Sequence, residues 1–85
     1  MYQMIVVDDE AELREGISNY FPWESLNIRV TGIFENGRTA FAYLKAHPVD
    51  IVLTDIRMPF IDGLELIEKA KSVSPSTCYV ILSGY

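Results

Sequence analysis

Short apolar runs alternate along the chain with stretches whose apolar residues recur at helical spacing. Residues 3 to 7, QMIVV, read as a short strand. Behind them a group of acids opens a segment in which Leu13, Ile17, Tyr20 and Phe21 return every three or four residues as far as Pro22, the spacing of one helix face. From Asn27 to Phe34, the residues Ile28, Val30 and Ile33 stand among Thr and Gly and predict a second strand. Asn36-Gly37 then turns the chain into a helix carrying Ala40, Phe41 and Leu44, which His47-Pro48 ends. Val49 to Thr54 is apolar but for one acid, the pattern of a strand buried on both faces. Leu64, Leu66, Ile67, Ala70 and Val73 mark a third helix, Ser74-Pro75-Ser76 breaks it, and Cys78 to Leu82 predicts a fourth buried strand. The order βαβαβαβ implies a parallel sheet with right-handed crossovers and helices on its faces, a doubly wound α/β fold.

In such folds ligands gather beyond the carboxyl ends of the strands, where the strand order switches. Three of the predicted strands end in polar groups: Asp8 and Asp9 after the first, Asp55 after the third, Ser83 after the fourth. A carboxylate at the end of an apolar strand costs several kcal/mol, very roughly, unless a cation or hydrogen-bond donors face it. If the first and third strands are neighbours, a spacing of about 5 Å brings the acids within reach of one ion. Two or three carboxylates at one rim repel, and a hard divalent ion removes the conflict. Mg²⁺ suits the site, since it takes one or two carboxylates, several waters and a phosphate oxygen. A carboxylate beside it can attack phosphorus, with Ser83 donating a hydrogen bond to the arriving phosphoryl group.

Composition narrows the classes. At 85 residues, 49% hydrophobic and 22% charged, the chain fits one small globular domain spanning 1 to 85. Its apolar runs are too short to cross a bilayer, and the N-terminus turns acidic by Asp8 instead of presenting a basic leader, which points to a cytoplasmic protein without a membrane partner. A net charge of -5 and seven scattered Lys and Arg argue against a nucleic-acid surface within this segment. Cys78, the single cysteine, reads as a small buried hydrophobe. No glycine-rich phosphate loop follows the first strand.

Taken together, "IVVDDE", "ENGRTAFAYL", "DIVLTDIRMPFIDGLELI" and "VILSGY" resemble the receiver domains of bacterial two-component response regulators, in that family's order and spacing from Met1 to Tyr85. The resemblance implies a flavodoxin-like fold in which Asp55 accepts a phosphoryl group from a sensor histidine kinase. It implies that Asp9 and Asp55 bind Mg²⁺ directly, that Asp8 acts mainly through a metal-bound water, and that the backbone carbonyl of Arg57 is a further ligand. Ser83 stands where the family keeps a Ser or Thr that moves toward the phosphoryl group, while Met58-Pro59 and Asp62-Gly63 match the loop that shapes the site. "PWESL" and the "LSGY" ending resemble a subclass whose output is an AraC-type helix-turn-helix domain, so that DNA is a partner only through a domain absent from this chain.

A complete receiver continues through a helix, a fifth strand and a last helix, which bring a Lys to the phosphoryl group and an aromatic residue that reports the switch. Measured against that pattern, the chain is truncated after the fourth strand. Loss of the Lys contact is expected to weaken phosphoryl stabilisation by roughly 1.5 to 3 kcal/mol. The exposed apolar edge of the fourth strand predicts self-association. An inert assembly fragment is therefore one alternative function. Another is a Mg²⁺-dependent phosphohydrolase with an aspartyl nucleophile, an enzyme class against which Arg57 argues, because such enzymes place a second acid at that position. Plainer roles stand beside these. Asp9 with Glu12 fits a capping box, Asp62-Gly63 a turn and helix start, His47 a helix C-terminus, and Tyr20, Phe21 and Trp23 packing under the loop to the second strand.

Overall fold

The strand β1, Tyr2–Val7, is apolar on both of its faces, and the rest of the chain is arranged to cover them. The computed structural model describes residues 1–58 and 61–82, so the expected roles of Pro59 and Ser83 fall outside the described residues, as do Phe60, Gly84 and Tyr85. After β1 come α1 (Ala11–Tyr20), a 3₁₀ turn (Trp23–Leu26), β2 (Ile28–Phe34), α2 (Gly37–Ala46), β3 (Ile51–Thr54), α3 (Gly63–Val73) and β4 (Cys78–Ile81). The strands form one parallel sheet in the order β2-β1-β3-β4. The chain leaves β1 toward β2 on one side and returns to β3 on the other, so the order switches between β1 and β3. This is the predicted flavodoxin-like βαβαβαβ architecture.

Alternation along β1 divides the core in two, because successive side chains of a strand point to opposite faces. Ile5 and Val7 join Val52, Ala40, Leu44, Leu66 and Ala70 beneath α2 and α3. Met4 and Val6 join Leu53 on the other face, under Ile17, Trp23, Ile28 and Val30. The α2 and α3 face is thus closed by buried side chains of both helices, whereas α1 contributes no buried residue.

The Trp23 side chain compensates in part. Its ring packs on the Met4 cluster, and its Nε1 donates to the Ile17 carbonyl at 2.7 Å, fastening α1 from its C-terminal half. The 3₁₀ turn that delivers Trp23 ends on Asn27 in the left-handed region (φ 62°), a conformation Asn tolerates better than most residues. Tyr20 does not share this packing as expected, being 87% exposed, and Phe21, 57% exposed, joins it only through its ring, 5.5 Å between centroids from that of Trp23, since α1 ends before the chain turns toward the sheet. β3 is two residues shorter than the apolar run suggested, although Val49 is buried before it begins.

β4 departs from expectation more clearly. Its residues are exposed except for a half-buried Tyr79, and Cys78 is exposed, not buried. The reason is position: β4 pairs with β3 on one side and is the edge of the described sheet.

Candidate functional site

The register between β1 and β3 places the two acid-bearing strand ends level. Val7 stands opposite Thr54, and the ladder continues one step as the Asp55 N–H donates to the Val7 carbonyl at 3.0 Å. Asp8 and Asp55 therefore leave neighbouring strands at the same height, at the switch in strand order. One carboxylate oxygen from each of Asp8, Asp9 and Asp55 lies within 4.8 Å of the others. The expected convergence of these acids is thus present among the described residues.

Their surroundings differ. Asp8 is 1% exposed, Asp55 half-buried and Asp9 exposed. The Asp8 N–H donates to the Phe34 carbonyl at 3.0 Å, its Oδ1 accepts from the Glu10 N–H at 2.9 Å, and its carbonyl accepts from Arg14 Nη1 at 2.8 Å. Burial raises the Asp8 carboxyl above its ordinary 3.8. The Glu10 hydrogen bond and the Arg14 charge oppose the rise, while the charges of Asp55 and Asp9 add to it. Asp55 accepts from the Ile56 N–H on Oδ1 at 2.8 Å, which fixes the orientation of its carboxylate.

Two glycines let the surrounding loop close on this end of the sheet. A Cβ on Gly63 would lie 2.1 Å from the Asp55 carbonyl oxygen, and one on Gly37 would lie 2.4 Å from the Ile61 carbonyl oxygen. Only glycine permits either approach without a backbone shift. The helices they open are capped as the sequence predicts, Asp62 accepting from the Glu65 N–H and Asn36 from the Thr39 N–H. The Asp9-Glu12 capping box is corrected: the N-cap of α1 is Glu10, without a side-chain cap bond, and Asp9 belongs to the acid cluster. His47 is the C-cap of α2, its ring centroid 4.7 Å from that of Tyr43.

The Arg57 side chain is exposed. Arg14, one of the seven scattered cations, is half-buried against the end of β1. Its place in the second turn of a helix that starts three residues after Asp8 was the available signal.

The set of donors, three carboxylates of graded burial at a strand-order switch, is suited to a hard oxygen-seeking divalent cation, and Mg²⁺ fits it. Fold and site together define a parallel α/β domain with three carboxylates gathered at the switch in strand order. The match to known families is to the response regulator receiver domain over residues 4–85, and the chain belongs to that family. Among curated relatives, the uncharacterized transcriptional regulatory protein YesN of Bacillus subtilis is 40% identical over 85 residues, covering 100% of this chain and 23% of its own length. The solved REC domain of AraT, a response regulator from Geobacillus stearothermophilus, is 33% identical with a TM-score of 0.91, covering 99% of this chain and 65% of that one. A two component transcriptional regulator AraC from Clostridium phytofermentans is 30% identical with a TM-score of 0.91, covering 100% and 66%. The chain thus spans about a quarter of that curated relative and about two thirds of those solved chains. No helix among the described residues is long and apolar enough to cross a membrane.

Proposed function

We propose that residues 1 to 85 act as a phosphoacceptor unit in which Asp55 receives a phosphoryl group from a sensor histidine kinase in a Mg²⁺-dependent reaction. The observation that carries this reading is the meeting of Asp8, Asp9 and Asp55 within 4.8 Å at the β1/β3 switch of a receiver-family sheet. Asp9 and Asp55 would hold the ion directly, Asp8 would act mainly through a water on it, and the Arg57 carbonyl would add a ligand. When bound, the ion supplies positive charge that offsets the acids and the phosphoryl oxygens. The Asp55 carboxylate, oriented by the Ile56 N–H, is the nucleophile. Its oxygen forms the new O–P bond as the P–N bond of the kinase phosphohistidine breaks, and the departing nitrogen keeps the electron pair. Ser83 donates to a phosphoryl oxygen. The chemistry is accepting and relaying a group, not turning over a substrate as an enzyme does.

In the parent protein the acquired charge controls a transcription-regulating output domain of AraC type, which contacts DNA in the cytoplasm. The transcriptional regulators among the relatives support this. A second reading, an assembly fragment that self-associates without phosphorylation, is favoured by one observation: Val80 and Ile81 on the β4 edge are 43% and 39% exposed.

Incubation with acetyl phosphate and Mg²⁺, followed by intact mass, tests the main reading. A gain of one phosphoryl unit in the wild type and none in Asp55→Asn is expected. A label that persists in Asp55→Asn assigns the chemistry elsewhere.

A further inference from the structure

Arg14 is placed in a way that acceptance of a phosphoryl group at Asp55 does not require. It stands in the second turn of α1, half-buried, and its Nη1 donates to the Asp8 carbonyl at 2.8 Å. It also borders a cleft with Ile33, Phe34, Glu35 and Thr39, so the side chain lies between α1, the end of β1 and the β2–α2 connection. A guanidinium is thus fastened to the main chain of the one buried acid in the cluster. Its charge favours the ionised form of that acid.

We propose that Arg14 is a positioning residue that serves as a resident counter-cation: from its place on the Asp8 main chain it offsets the charge of that buried acid while no metal is bound, and it opposes a metal that binds there. The inference rests on the reading of Asp8, Asp9 and Asp55 as a cation site. Its sign follows from charge. A fixed positive group beside Asp8 attracts its carboxylate, and it repels a divalent ion seated at that acid. Arg14 therefore favours the metal-free state relative to the loaded one. The hydrogen bond to the Asp8 carbonyl acts differently, because it is available in both states and its loss lowers the stability of both alike.

Thermal unfolding in chelator and in saturating Mg²⁺, together with a Mg²⁺ titration read by Trp23 fluorescence, separates the two effects. Arg14→Gln, which removes the charge, is expected to melt lower in chelator and to gain more from Mg²⁺ than the wild type, with a Kd about two- to threefold tighter at low salt. Arg14→Lys keeps the charge, so its two melting temperatures fall together and the gain from Mg²⁺ stays that of the wild type. An Arg14→Gln whose gain equals or falls short of the wild-type value overturns the proposal, as does one that fails to fold with or without Mg²⁺, because such an effect is merely structural. If the wild type itself shows no response to Mg²⁺, the cation site falls first and this role falls with it.

Discussion

Asp8 carries two demands that conflict without a cation. It is buried beside two other carboxylates, yet its backbone and side chain anchor the turn into α1 through Phe34, Glu10 and Arg14. Burial holds its pKa above 3.8 in the folded chain, so the folded state binds this proton more tightly than the unfolded state does. Ionised Asp8 is then a stability penalty, present in full above the raised pKa and relieved as the pH falls through it toward 3.8. Asp8→Asn keeps the shape and a carbonyl oxygen for the Glu10 N–H. It is expected to raise the melting midpoint in chelator at neutral pH by a few degrees, to flatten that part of the pH profile, and to weaken the response to Mg²⁺. Calorimetry across the pH range with and without Mg²⁺ checks all three. At Gly63 the constraint is steric: Gly63→Ala forces the Asp55 main chain to move and is expected to cost about 2 to 3 kcal/mol, measured by denaturant unfolding. The sequence exposed the acids plainly, because carboxylates at the ends of apolar strands are conspicuous. It hid Arg14, because a lone cation on a helix reads as solvated until the fold shows what its guanidinium reaches.

Among the three described α-helices, α1 is the least firmly held. It has no buried residue and no side-chain cap, and the Trp23 Nε1 bond to Ile17 supplements a thin apolar contact. Trp23→Phe is expected to cost about 1 kcal/mol through that bond alone and to speed hydrogen exchange in Ala11–Tyr20 more than in α2 or α3. Equal protection loss in all three helices contradicts this picture. Helical periodicity located α1 but not its shallow docking, since Leu13 and Tyr20 fit the period and still face solvent. β1 was legible as a short strand from its apolar run, and the fold buries Met4 to Val7 on both faces. β4 shares that run but not the burial, because what covers a strand is set by its place in the sheet and not by its own residues.

At the scale of the molecule, the described residues form a four-stranded parallel sheet whose switch point and acid rim coincide. Alternation of strand and helix signals foretold the fold, whereas the adjacency of β1 and β3, on which the site depends, is a nonlocal pairing that spacing along the chain does not state. The β4 edge offers unpaired backbone groups beside exposed Val80 and Ile81, and on that basis the 85-residue chain is expected to sediment partly as dimer or larger at high micromolar concentration. A single monomer boundary there removes the assembly reading. The central claim, that separate strand ends share one cation, is tested most directly by titrating Mn²⁺, a paramagnetic stand-in with the same taste for oxygen ligands, into ¹⁵N-labelled chain. Amide signals of Asp9, Glu10, Asp55 and Ile56 should broaden together at substoichiometric ion and recover with excess Mg²⁺. Broadening confined to one strand end, or none that Mg²⁺ reverses, contradicts the shared site.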